Sequence, residues 1–184
     1  MRLKRKANVP TAAVLTAKCG GTAMAALLAL QGAIKLGSAG AWLMFAAVSV
    51  CVIADGVLHV RFIPGGILFA LGHVLYMVSF CLRGLPGWQS AVLFVLLAAA
   101  AMAFIRAQNT KPQPFIVPYA LVLCLMTAMA FSRGPVCFAG ALLFAFSDSM
   151  LLWRMEGHPG EASDWIAMGS YYAGQYLLAL SLFG

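Results

Sequence analysis

The stretch GALLFAFSDSMLLWR, residues 140–154, decides how this chain is read. It is apolar enough for a membrane helix, yet Asp148 lies inside the run rather than at its edge. A charged Asp at the bilayer centre costs about 2.5–3.5 kcal/mol on insertion scales, so such an acid normally faces a bundle interior. Asp148 is therefore a candidate working group; a structural carboxyl bonded to a neighbouring helix is the alternative. Asp55, in VIADGVLH at 52–59, is the other acid in comparable surroundings.

Composition sets the class. Of 184 residues, 63% are hydrophobic and 9% charged, and the mean hydropathy is +0.93. Those values exclude an ordinary soluble domain and a disordered chain. A bilayer span takes about 20 apolar residues, so the length holds seven or eight spans and one transmembrane domain over 1–184, behind a basic lead-in at 1–10. The net charge of +7 reads as topology signal rather than as nucleic-acid binding, because the basic residues fall between apolar runs. Cys19, Cys51, Cys81, Cys124 and Cys137 lie in or beside those runs without a Cys-x-x-Cys, and read as reduced packing residues.

The predicted spans are Thr11 to Ile34, Ala41 to Leu58, Pro64 to Leu82, Trp88 to Ile105, Phe115 to Phe131, Pro135 to Trp153 and Trp165 to Phe183. The first reads as a retained helix rather than a signal peptide, since Lys18 and Gly20-Gly21 interrupt it. The fourth, almost wholly Ala, Leu, Val and Phe, reads as scaffold. Alternating loops put Arg2, Lys4, Arg5, Lys6, Arg61, Arg106, Lys111 and Arg154 on one side, against Lys35, Arg83 and Arg133 on the other. The excess marks the cytoplasmic side and sets the N-terminus there. At 1.5 Å per residue, Asp55 and Asp148 then both lie roughly 5–10 Å below that rim. Lys18, Tyr171 and Tyr172 fall at similar depth, with His73 and Gln175 a little deeper. A short echo between Gly66–His73 and Ala141–Asp148 is compatible with an inverted repeat or with chance.

Two carboxyls in one low-dielectric pocket rarely both ionise, which equips a site for general acid/base work. Lys18 either offsets the remaining charge or snorkels to the interface. Tyr171, Tyr172 and Gln175 share a helical sector by i, i+3 and i, i+4 spacing. His73 shares a face with Tyr76 and reads first as a structural hydrogen-bonder. No metal is expected: His59, His73, His158 and Asp148 lack ligand spacing. Ser147 and Ser149 lack a nucleophile elbow, and the seventh span has no Lys for a retinal Schiff base.

The segments Phe62-Ile63-Pro64-Gly65, Gly72-His73-Val74-Leu75-Tyr76, Gly140-Ala141-Leu142-Leu143-Phe144, Ser147-Asp148-Ser149 and Tyr171-Tyr172-Ala173-Gly174-Gln175 resemble the YhhN family of lysoplasmalogenases from about Lys18 onward. The family's Lys-Pro is Lys18-Cys19 here, and its Gly-Asp is Ala54-Asp55. Members usually have eight predicted helices, one more than the seven counted here. The resemblance implies a multi-pass hydrolase that cleaves the vinyl-ether bond of lysoplasmalogens into a fatty aldehyde and a glycerophospho-choline or -ethanolamine. On that reading Asp55 and Asp148 are catalytic, and Lys18, His73, Tyr76, Ser147, Tyr171, Tyr172 and Gln175 bind substrate. No cofactor is expected. The expected partners are a lysophospholipid, membrane lipid and, as an open alternative, a second copy of the chain. The expected location is a bacterial inner membrane. The competing reading is a small proton-coupled transporter or lipid-binding membrane protein.

Overall fold

In the computed structural model, residues 11–108, 113–155 and 160–184 are described. The basic lead-in at 1–10, Lys111 and His158 lie outside them. Seven helices are present among the described residues: α1 Thr11–Leu36, α2 Ala39–Val60, α3 Phe62–Leu82, α4 Trp88–Ala107, α5 Ile116–Phe131, α6 Pro135–Met155 and α7 Glu161–Leu180. The fold is an all-α membrane bundle. Five of the helices, α1 through α4 and α6, are long and apolar enough to cross a membrane. At 16 residues α5 is shorter. Helix α7 begins four residues before the apolar run at Trp165, because Gly160 supplies the extended N-cap and Glu161 and Asp164 occupy the first turn. Carboxylates there complement the positive end of the helix dipole.

The packing order explains where space is left. Helix α2 packs on α1 and α3, α3 on α5, α5 on α6, α6 on α7, and α7 back on α1, so six helices close a ring. Helix α4 packs on α5 alone and stands outside that ring. Inside it, Met44, Phe80, Met126, Phe144 and Leu178 are almost wholly buried.

Lipid is as apolar as a Leu side chain, so membrane helices associate through close packing and hydrogen bonds rather than through the hydrophobic effect. Glycine supplies the closest approach. A Cβ on Gly140 would sit 2.9 Å from the Gly174 carbonyl oxygen, and one on Gly174 would sit 2.8 Å from the Gly140 carbonyl oxygen. These contacts are backbone to backbone and have no flexible side chain to give way. The α2–α3 corner is as tight: only Arg61 separates the helices, and a Cβ on Gly65 would lie 2.5 Å from Leu58 Cα. Hydroxyls add cross-links. Ser79 donates to the Gly40 carbonyl at 2.7 Å, tying α3 to α2. Ser147 donates to the Ala167 carbonyl at 2.8 Å, tying α6 to α7.

Gly174→Val is expected to force α6 and α7 apart and to cost about 1–3 kcal/mol, the usual range for overpacking. Thermal unfolding in detergent should show a lower midpoint for Gly174→Val and no comparable drop for Gly169→Val, where a Cβ meets open space. Equal midpoints for the two variants would contradict the close α6–α7 contact.

Candidate active site

Asp55 and Asp148 line one cavity of about 510 Å³. Asp55 comes from α2 and Asp148 from α6, two helices that run in the same direction and do not pack against each other. Neither helix can satisfy its own carboxyl, because its backbone donors are used along the helix. The donors come from other helices. Thr22 Oγ1 on α1 donates to Asp55 Oδ2 at 2.5 Å, and Tyr171 Oη on α7 donates to the same oxygen at 3.0 Å. On the other side, Tyr119 Oη on α5 donates to Asp148 Oδ2.

Each carboxyl ends a longer hydrogen-bonded line. Behind Asp55, Gln175 Nε2 donates to Tyr171 Oη at 3.4 Å, and Tyr76 Oη donates to Gln175 Oε1 at 2.6 Å. Behind Asp148, His73 Nε2 lies 3.2 Å from Tyr119 Oη. Since that hydroxyl gives its proton to Asp148, the imidazole serves it best as an Nε2–H donor. The other ring nitrogen of His73, Nδ1, is buried without a partner. Between the two lines sits an aromatic cluster from α3, α6 and α7: Phe69, Phe144 and Tyr171 meet edge to face, with centroids 5.2 to 6.0 Å apart. His73 sets its ring against Phe144 at 4.8 Å. These contacts fix the rings that carry the hydroxyl donors.

The sequence-predicted residues divide into two groups. Lys18, Asp55, Ser147, Asp148, Tyr171 and Tyr172 all line the cavity. Tyr172 also donates to the Lys18 backbone carbonyl at 3.2 Å. His73, Tyr76 and Gln175, read from the sequence as substrate-binding, are wholly buried and do not line it; they stand behind the wall and hold the residues that do. Ser147 and Ser149 each donate to a backbone carbonyl. Among the described residues no group of three or more His, Cys, Asp and Glu is placed to hold a metal ion. The rim carries the ion pair of Arg154 with Asp164.

Two residues escaped the sequence reading. Tyr119 lies three residues into α5 on the same side as the two acids, so the depth argument that grouped Tyr171 and Tyr172 applies to it equally. Thr22 lies one helical turn after Lys18, on the same face of α1.

The fold and the site define an integral, multi-pass membrane protein built round an intramembrane pair of carboxyls. The YhhN family pattern matches residues 14–182, and the chain belongs to that family. It is 32% identical over 123 residues to the lysoplasmalogenase TMEM86B of Homo sapiens, across 65% of this chain and 53% of that one. It is 27% identical over 158 residues to TMEM86B of Mus musculus, across 84% and 70% respectively. With the lysoplasmalogenase TMEM86A of Bos taurus it shares 30% over 132 residues, across 65% and 55%. The chain thus spans about half the length of the human and bovine relatives. No solved structure matches it.

The cysteines offer a direct check on the cavity. Cys124 lines it, whereas Cys51 and Cys137 are fully buried away from it. In a Cys19→Ala, Cys81→Ala background, N-ethylmaleimide should modify Cys124 well before the other two, read by peptide mass spectrometry. Equal modification of all three would contradict the cavity.

Proposed function

We propose that the chain is a membrane-embedded lysoplasmalogenase that hydrolyses the vinyl-ether bond of one-chain alkenyl glycerophospholipids by acid/base catalysis between Asp55 and Asp148. The observation that carries the proposal is that both carboxyls, from helices that do not touch, open on one cavity. The relatives named lysoplasmalogenase support the substrate class.

The chemistry follows from the bond. An enol ether resists base and yields to acid, because the difficult step is protonation of the vinyl carbon remote from oxygen. A protonated carboxyl of the pair supplies that proton, and the double-bond electrons form the new C–H bond. The ether oxygen shares its lone pair with the adjacent carbon, giving an oxocarbenium ion. The partner carboxylate stabilises this cation in surroundings where water does not screen the charge. That carboxylate then takes a proton from water as its oxygen adds to the cationic carbon, and a hemiacetal results. Collapse breaks the bond to the glycerol oxygen, which recovers that proton as it leaves. The hemiacetal hydroxyl returns its proton to the first carboxyl. One water is consumed, and both acids regain their starting states.

The hydrogen-bonded lines hold the carboxyls for these transfers. Tyr119 keeps Asp148 turned into the cavity, while Thr22 and Tyr171 do the same for Asp55. The excess of basic residues on the side where α2, α4 and α6 end favours entry from the cytoplasmic leaflet.

Purified protein given alkenyl glycerophosphocholine should release aldehyde. Asp55→Asn and Asp148→Asn should each lower kcat by about a hundredfold to ten-thousandfold, the range for losing a general acid or base. Tyr119→Phe should lower it less, by roughly tenfold to a hundredfold, the worth of a hydrogen bond to a charged group. Full turnover in either Asn variant would remove that residue from the mechanism. Solute flux in proteoliposomes, with no aldehyde from any lysolipid, would favour transport instead.

A further inference from the structure

Helix α4 reads as scaffold in the sequence, and its packing on α5 alone fits that reading. Its lining residues do not. Leu97, Ala100, Ala101 and Phe104 fall at i, i+3, i+4 and i+7, and all four face the same cavity as the two acids. Opposite them, Leu142 and Phe146 of α6 line it too, although they are 38% and 48% exposed. Since α4 and α6 do not pack together, the cavity continues past α5 into a cleft walled by two unjoined helices. Leu142 lies six residues before Asp148, so this limb reaches roughly 9 Å deeper than the acid. It is apolar throughout.

Resting on the hydrolase reading, we propose that the α4–α6 limb holds the single hydrocarbon chain of the substrate, and that Ala100 and Ala101 set the chain length accepted. The order of chemistry along the cavity matches one kind of molecule. Arg154, six residues beyond Asp148 on α6, lies toward the rim; the carboxyls and cationic Lys18 come next, and the apolar limb lies beyond them, all lining one cavity. A lysoplasmalogen has the same order: an anionic phosphate, then the vinyl ether, then the alkyl chain. The small side chains at positions 100 and 101 leave the limb its width, and the open gap between α4 and α6 admits a chain sideways from the bilayer.

Two measurements test this. First, Ala100→Trp and Ala101→Trp should lower kcat/KM for an octadecenyl substrate by about tenfold or more while changing a butenyl substrate, too short to enter the limb, by no more than about twofold, as expected when a pocket rejects extra methylenes. Val95→Trp, on the lipid-facing side of α4 at 63% exposure, should change neither. An equal loss for both chain lengths, or no loss for either, overturns the proposal. Second, Asp148→Asn protein is photolabelled with an octadecyl ether lysophosphocholine bearing a diazirine at the seventh carbon of the chain. Adducts should map to positions 97–104 of α4 and 142–146 of α6, and should fall when unlabelled lysophosphocholine competes but not when two-chain phosphatidylcholine does. Adducts spread over the outward faces, or displaced equally by the two-chain lipid, overturn it. Labelling needs no turnover, so adducts in the limb of the Asp148→Asn protein, found while the wild-type protein releases no aldehyde, would sink the hydrolase reading and leave the tail site standing.

Discussion

A carboxyl buried among apolar helices must find hydrogen-bond donors that neither lipid nor its own backbone can supply. Most of this bundle's specific geometry follows from that need. Asp55 draws Thr22 from α1 and Tyr171 from α7; Asp148 draws Tyr119 from α5. Each donor is braced in turn, Tyr171 by Gln175 and Tyr76, Tyr119 by His73. The result is a polar frame in which every ring helix takes part, through either a carboxyl, a donor or the residue behind it. Apolar packing alone would not select one such arrangement, because exchanging Leu for lipid gains little in a membrane. The glycine contact between α6 and α7 lets Ser147 and Phe144 reach their partners on α7.

The same frame accounts for the division between wall and cavity. Groups that supply packing and orientation, His73, Tyr76 and Gln175, are sealed in. Groups equipped to exchange protons with a ligand open on a single space. That space holds both acids and extends into an apolar cleft between α4 and α6. A carboxylate held in place by fixed donors needs no reorganisation when positive charge develops beside it.

Much of this was legible in the chain. Apolar runs located all seven helices, because their lengths and the Gly, Pro and charged residues between them leave little freedom. The isolation of Asp55 and Asp148 inside apolar runs singled them out, and the even spacing of the helices placed them at one depth. Depth, however, carries no information about rotation. Whether a residue faces the cavity or stands behind its wall depends on helix contacts far apart in sequence, so Tyr76 and Gln175 were assigned to substrate although they support the wall, while His73 stands in the structural role read for it first. Tyr119 and Thr22 were missed although depth and helix face pointed to them, because the carboxyls that their hydroxyls meet lie on helices distant in sequence. The uniform composition of α4 hid its role: Ala100 and Ala101 matter for the room they leave.

The central claim is that the carboxyls of Asp55 and Asp148 act as one unit on one substrate. A double-mutant cycle on aldehyde release tests it most directly, by comparing Asp55→Asn, Asp148→Asn and the combined variant under saturating alkenyl glycerophosphocholine. Groups that act together are strongly non-additive, so the combined variant should be about as slow as the slower single one. Losses that multiply, as for independent sites, would contradict the account.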